Sequence, residues 1–313
     1  MDGPAPMRSI AVTGATGFIG GAIVRELSRQ GYSVRVLIRP NSIHKPMPDR
    51  VDRVVGTLED VSSLQALLSE VDSVVHCAGA VRGAHESTFA RTNSEAVSTL
   101  VQLAAECPNV RRFLLLSSLV ASQPQVSPYA MSKLGGEQAL ATQAADMACL
   151  ALRPPAVYGP GDRELLLLFR AMTYGLAPLW ARRDARFSLL YVGDLVAAVA
   201  QWISSSNPIS GVYDLHDGHD DGYTMDEIIG IATNVLNRRI RGLQVPAAVL
   251  DILAGANIRC ARLANYEPML TPWKLQELRY PRWVCDNSKF ARATGWVPTV
   301  PFTEGIQLAL SGE

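Results

Sequence analysis

The sequence predicts an α/β fold: a doubly wound parallel sheet over residues 1–160, followed by a smaller C-terminal α/β unit over 161–313. Three observations predict it. An apolar run, Ser9 to Val12, leads through the turn Thr13-Gly14-Ala15-Thr16-Gly17-Phe18-Ile19-Gly20 into a helical pattern, Phe18 to Gln30. Short β-branched runs then alternate with helical stretches, the order of a parallel sheet with a helix after each strand. Beyond Gly161 the alternation breaks at the very apolar stretch Glu164 to Met172.

The first turn spaces its glycines as Gly14-x-x-Gly17-x-x-Gly20. Without Cβ atoms the backbone can approach a phosphate closely, and the helix N-terminus that follows offers free N–H groups to the anion. Gly31 caps the first helix, and Ser33 to Ile38 forms the second strand. In dinucleotide-binding sheets the position after this strand meets the adenosine ribose, where a carboxylate binds the 2′-hydroxyl of NAD and an arginine the 2′-phosphate of NADP. Ile38 is followed by Arg39, so NADP (NADPH) is the preferred cofactor and NAD the second choice, with Arg35, Asn41 and Ser42 as helpers. A short strand (Arg53 to Val55), a helix (Val61 to Ser69) and a fourth strand (Ser73 to Cys77) come next. The small residues Ala78-Gly79-Ala80 leave room for a cofactor over that strand end. A helix from Ser87 to Glu106 precedes the strand Arg112 to Leu116, which ends in Ser117-Ser118.

Ser127 suits a helix N-cap and Pro128 the first helical position, which places Tyr129 in the first turn and Lys133 one turn further on the same face. Bringing a tyrosine from its usual pKa of about 10 to about 7 takes roughly 4 kcal/mol of preference for the phenolate. An ammonium at about 4 Å supplies interaction of that order, and the helix N-terminus adds to it. Tyr129 and Lys133 therefore form a candidate proton-transfer pair.

In the second half, Phe187 to Val192 is a strand leading through Asp194 into a helix, Leu195 to Ile203, and residues 187–205 are expected to return to the first unit. Val212 to Leu215 is a further strand, and Thr224-Met225-Asp226-Glu227 fits a capping box for a helix running to Asn237. His216-Asp217-Gly218-His219-Asp220-Asp221 gathers metal-ligand types, but Gly218 and Gly222 make it a polar loop, and no metal is expected. Pro246 to Ala264 is helical; its mildly amphipathic start, Val245 to Ala256, is expected to face a core rather than a membrane surface.

Composition narrows the function classes. Lys and Arg (29) balance Asp and Glu (29), with no basic block, which argues against a nucleic-acid partner. Cys77, Cys107, Cys149, Cys260 and Cys285 lack paired spacing and read as buried thiols of a reducing compartment. No apolar run approaches the roughly 18 residues of a membrane span, and Met1 to Met7 carries no signal-peptide core, so a cytoplasmic protein is expected.

On these residues the chain resembles the extended short-chain dehydrogenase/reductase family, including its NAD(P)-dependent epimerase/dehydratase and 3β-hydroxysteroid dehydrogenase/dihydroflavonol reductase branches, over nearly its whole length. Thr13 to Gly20 matches the TGxxGxxG loop, Ser117-Ser118 the serine strand end and Tyr129-x-x-x-Lys133 the YxxxK pair. Arg153 to Gly161 resembles the segment beside the nicotinamide, and Gly295-Trp296-Val297-Pro298 with Glu304-Gly305 the C-terminal signature. The resemblance implies a Rossmann first domain, a C-terminal substrate domain and a homodimer packed through the helices Ser87 to Glu106 and Pro128 to Asp146. It implies Tyr129 as general acid/base, Ser118 holding the reacting oxygen, Ser117 structural, and Lys133 lowering the tyrosine pKa while binding the nicotinamide ribose. Cofactor contacts are implied at Gly14, Thr16, Gly17, Phe18, Ile19, Arg39, Leu58, Ala78, Lys133, Pro154 and Val157. Two departures stand out. The segment between Ser118 and Tyr129 is short, which predicts a more open pocket, and Thr57 replaces an acidic residue that often meets the adenine.

The leading expectation is an NADPH-dependent oxidoreductase interconverting a ketone and a secondary alcohol on a mainly apolar small molecule, with Leu165 to Phe169 hinting at an apolar substrate. The alternative is a sugar-nucleotide epimerase with retained NAD(P), which needs a diphosphate clamp drawn from Arg163, Arg170, Arg182, Arg183, Arg186, Arg259 and Arg262. A 4,6-dehydratase lacks support because Leu119-Val120, not a carboxylate pair, follow Ser118. A cofactor-sensing module would not need Ser118, Tyr129 and Lys133 intact.

Overall fold

In the computed structural model, which describes residues 8–143, 146–180, 182–264 and 266–312, the first half of the chain alternates strand and helix. The tail Met1 to Met7 lies outside the described residues, as do 144 and 145 within the helix expected to end at Asp146. Strands β1 (Ser9–Thr13), β2 (Ser33–Ile38), β3 (Val51–Val55), β4 (Ser73–His76), β5 (Arg112–Leu116) and β6 (Ala148–Arg153) are joined by a seventh, Gly211–Asp214, in one parallel sheet. The spatial order is Gly211–Asp214, β6, β5, β4, β1, β2, β3. Strand order therefore reverses between β1 and β4, and the crevice where a doubly wound sheet takes its ligand opens there.

Strand alternation sorts two apolar layers. Ile10 and Val12 of β1 pack with Ile23, Val24 and Leu27 of α1 (Phe18–Arg29). Ala11 belongs to the opposite layer, with Leu64 and Leu67 of α2 (Val61–Leu68) and with Leu100, Val101 and Ala104 further along. The helix expected from Ser87 to Glu106 is interrupted: α3 (Glu86–Ala90) and α4 (Ala96–Glu106) flank a π-helical turn, Arg91–Glu95. The next helix, α5 (Pro128–Gln143), carries Tyr129 and Lys133.

The second half begins with β7 (Ala156–Tyr158), α6 (Leu165–Thr173) and β8 (Leu176–Leu179). Leu168, Phe169 and Met172 are buried with Tyr158, Phe302 and Ile306, so much of the apolar run on α6 builds the core of this half, while Leu167 is exposed. The strand expected from Phe187 to Val192 is split at buried Ser188 into β9 (Arg186–Phe187) and β10 (Leu189–Tyr191), which pair with different partners. Helix α7 (Val192–Ser204) lays Leu195, Val199 and Trp202 into the layer beneath α1, and β11 is the outer strand Gly211–Asp214.

The remaining elements are α8 (Met225–Val235), β12 (Arg241–Gln244), α9 (Ala247–Ala264), α10 (Pro272–Arg279), β13 (Arg282–Trp283), α11 (Ser288–Thr294) and α12 (Phe302–Ser311). The capping box at Thr224 and Glu227 is formed. In the loop after β11, His216 and Asp217 are buried while His219, Asp220 and Asp221 are exposed. His216 Nδ1 accepts from Gly218 N and Asp217 accepts from the Tyr223 hydroxyl at 2.8 Å, so the loop is partly a packed knot. Among the described residues no cluster of His, Cys, Asp or Glu is arranged to hold a metal, and no helix is long and apolar enough to cross a membrane. All five cysteines are free; Cys149 and Cys285 are buried, Cys77 and Cys107 half-buried, but Cys260 is exposed on α9, against the expectation of five buried thiols.

Asp194 on α7 fastens the C-terminal segment. One carboxylate oxygen accepts from Thr299 N (3.0 Å) and Thr299 Oγ1 (2.7 Å), the other from Val300 N (3.1 Å), and the Asp194 carbonyl accepts from Trp296 Nε1. The carboxylate is 2% exposed, so its loss leaves buried donors without an acceptor. Asp194→Ala is expected to lower the unfolding free energy by about 3 kcal/mol, read from urea denaturation; a change within experimental scatter contradicts this role.

Candidate active site

The glycine loop meets the sheet at the β1/β4 reversal. Gly14 adopts φ +71°, and a Cβ there would stand 2.6 Å from Ala78 N; a Cβ on Gly20 would collide with the Gly14 carbonyl. Only glycine permits this packing of loop, helix and strand end. Helix α1 starts at Gly17 with no side-chain cap and no acidic residue in its first turn, leaving N–H groups at Phe18 and Ile19 for an anion. Lys45 Nζ bonds the Thr16 carbonyl at 3.4 Å and adds a positive charge over the loop. Residues and backbone here fit a dinucleotide pyrophosphate.

Arg39 sits exposed just beyond β2, and its guanidinium has no hydrogen bond or ion pair among the described residues. Arg35, expected to help it, is engaged elsewhere: it bonds Asp52 at 2.6 Å and the carbonyls of Ala66 and Ser69. Ser42 is buried and Asn41 exposed. Leu58 lies half-buried beyond β3. Pro154, buried, and Val157, half-buried, follow the end of β6, where the Pro154 carbonyl accepts from Leu119 N. The sequence-predicted cofactor residues thus all gather along the carboxyl ends of the parallel strands.

Helix α5 brings the catalytic candidates to the same edge. Ser127 caps it, accepting from Ala130 N at 3.0 Å. Lys133 Nζ donates to the Leu116 carbonyl at 2.7 Å and would stand 3.7 Å from a Cβ at Gly79. Burial pushes its pKa down to about 8, an effect opposed by the charge of Glu137. Glu137 is fixed by Arg153 through bonds of 2.8 and 2.6 Å and by the Ser117 hydroxyl, which gives Ser117 a structural place. The Tyr129 phenol behaves differently from the sequence expectation. Its pKa is raised, first by burial, then by the carboxylates of Glu277 and Glu164, with only the Ser118 hydroxyl pulling it down. The ammonium of Lys133 is aimed at the Leu116 carbonyl, and the surroundings of the phenol hold it towards its protonated form.

The pocket beside Tyr129 is narrow, although the Ser118–Tyr129 segment is short. That segment folds into two 3₁₀ turns, while helix α10 covers the phenol from the other side. Val81, Phe89, Pro268, Met269 and Trp273 supply apolar walls, and Arg82, Thr271, Lys274 and Glu277 a polar end. The cavity measures about 10 Å³, room for about one water molecule. Glu277, 5% exposed, accepts from Ser127 Oγ at 2.5 Å and from Lys274 Nζ at 3.1 Å, latching α10 onto the start of α5.

Several neighbours were not legible beforehand. Asn93 in the π-helical turn bonds both Ala80 N (2.8 Å) and Ala80 O (2.9 Å) and also Ser132, fixing the strand end that faces Lys133. An asparagine inside a helical run was its one signal. His76 lies fully buried under the same edge, bonded to Thr13 Oγ1 at 2.9 Å, and burial with the nearby Lys133 charge pushes its pKa down to about 3.

The buried amine has a measurable signature. Below about pH 8 the folded chain holds a charged Lys133 at a cost. Between pH 8 and 10.5 the folded amine releases its proton while the unfolded one keeps it, so the cost shrinks as pH rises. Wild type is expected to gain stability relative to Lys133→Met across that window, read as urea midpoints on either side of it; a flat or falling difference contradicts the assignment.

Comparison with known proteins agrees with this geometry. Residues 10–215 match the model of the NAD dependent epimerase/dehydratase family. The chain is 32% identical over 311 residues to a ceramide reductase of Caulobacter vibrioides, covering 92% of this chain and 96% of that one. It is 26% identical to a 2-alkyl-3-oxoalkanoate reductase of Stenotrophomonas maltophilia, covering 95% and 97%. The solved structure of MoeE5 in complex with UDP-glucuronic acid and NAD shares the fold, with a TM-score of 0.74 at 20% identity over 97% of this chain and 98% of that one. With the glycine loop, the seven-stranded parallel sheet and these relatives in agreement, the chain belongs to the NAD-dependent epimerase/dehydratase family and is an NAD(P)-dependent oxidoreductase of Rossmann fold.

Proposed function

We propose that the protein is an NADPH-dependent reductase that converts a ketone on a mainly apolar, lipid-like small molecule to a secondary alcohol, reversibly. The observation that carries this is a protonated phenol enclosed by Phe89, Trp273, Val81, Pro268 and Met269. Such walls suit a hydrocarbon chain, and the polar end at Arg82, Thr271, Lys274 and Glu277 suits a head group beside the ketone. The two reductases among the relatives are named for ceramide and for a 3-oxoalkanoate.

When bound, the nicotinamide cofactor supplies or takes the hydride. Tyr129 gives its proton to the ketone oxygen as that oxygen gains charge, and Ser118 holds the same oxygen by a hydrogen bond. Lys133 would hold the nicotinamide ribose and favour the phenolate left behind; the loop at Gly14, Thr16, Gly17, Phe18 and Ile19 would hold the pyrophosphate, Leu58 and Ala78 the adenosine half, Pro154 and Val157 the nicotinamide, and Arg39 the 2′-phosphate. For a sugar-nucleotide epimerase, the clamp candidates Arg182, Arg183 and Arg186 are paired with Asp184, Asp226 and Glu227, whereas Arg259 is left for such a role.

Long-chain 3-oxo amides and 3-oxo acids are expected to oxidise NADPH in the presence of the protein, and Tyr129→Phe to lower kcat by roughly 10²–10⁴-fold with NADPH affinity unchanged. Interconversion of UDP-sugar epimers without net NADPH consumption would replace this proposal with the epimerase. Arg39→Ala is expected to weaken NADPH binding roughly 10- to 100-fold and leave NADH binding unchanged, measured by fluorescence titration; equal loss for both cofactors removes the 2′-phosphate role.

A further inference from the structure

Helix α9 has two apolar faces. Leu250, Ala254, Ile258 and Ala261 are buried, packing with Leu275, Ala84 and Trp273, as the core-facing expectation required. On the other side Val249, Ile252, Leu253, Ala256, Cys260 and Leu263 are exposed. Their spacing by threes and fours makes one stripe about 21 Å long at 1.5 Å per residue. Ile252 is 70% exposed and Leu263 89%, where a solvent-facing helix surface ordinarily carries polar side chains.

The charged residues of α9 are one acid and two arginines. Asp251, the acidic residue of α9, is bound to Arg279 at 2.8 Å. Arg259 is exposed with no partner among the described residues, and Arg262 is exposed with only its Nε bonded, to the Ala84 carbonyl. An apolar stripe edged by the unpaired Arg259, with the exposed Arg262 further round the helix, is complementary to a bilayer surface with anionic headgroups, where arginine stems lie along the acyl boundary and the guanidinium groups reach phosphate.

We propose that this face of α9 docks on an anionic phospholipid bilayer, with the helix lying in the plane of the interface. The helix is not apolar enough to span one. A second copy of the chain fits the face less well. A two-fold pairing of the stripe brings arginines to a surface whose acid is already engaged by Arg279, so the charges of one copy find no counterpart on the other. The buried side of the same helix packs with Trp273 and α10, the cover over Tyr129. Docking therefore sets the cover of the pocket against the phase in which an apolar substrate resides; that link rests on the proposed reductase function, whereas docking itself does not.

The test uses the full chain and vesicles free of substrate, so its outcome is independent of turnover. Wild type is expected to co-sediment with vesicles of equal parts phosphatidylcholine and phosphatidylglycerol, and roughly tenfold less with phosphatidylcholine alone. The triple variant Ile252→Ser, Leu253→Ser, Leu263→Ser is expected to lose roughly tenfold or more of the binding, with an unchanged melting temperature because all three side chains are exposed. Arg259→Glu and high salt are expected to weaken binding as well. Absence of vesicle binding, or binding that the triple variant retains, overturns the proposal. A concentration-dependent dimer abolished by the triple variant, without vesicle binding, assigns the face to a second copy instead.

Discussion

The bond from Lys133 to the Leu116 carbonyl orders everything around it. It ties a helix to the last residue of β5 at the point where the strand runs on into Ser117 and Ser118. Once that contact is set, Tyr129 stands one helical turn from the amine and beside Ser118, and the small residues of Ala78 to Ala80 must accept the amine as a neighbour. A buried ammonium is unfavourable on its own. Glu137, itself held by Arg153 and Ser117, offsets part of that cost through its charge.

The same contact explains why proton chemistry is divided as it is. The amine serves the strand end, and burial and two carboxylates favour the neutral phenol. A neutral phenol is a proton donor, which suits a carbonyl that is gaining electrons. The readiness of the phenol to give up its proton is thus set by its burial and by the charges around it.

Much of this was legible from residue order because it is local. The glycine spacing, the Ser127-Pro128 start of α5 and the Tyr129–Lys133 turn are read within a few positions, and strand and helix periods carry the sheet. What escaped is long-range. The latch between Ser127 and Glu277 joins residues 150 positions apart, and nothing in the spacing of either announces the other. The apolar run on α6 looked like a substrate wall because composition does not say which core a leucine enters. Arg35 looked like a phosphate ligand until Asp52, on the neighbouring strand, claimed it. A one-turn interruption of a helix, which places Asn93, leaves almost no trace in hydrophobic period.

The cover formed by α10 has a mechanical corollary. A cavity with room for about one water admits a larger molecule only when its walls move, and the bond between Ser127 and Glu277 is one contact that such motion breaks. Widening that space therefore strains a bond between residues 150 positions apart, so the fit between the two halves of the chain, rather than either half alone, sets its size.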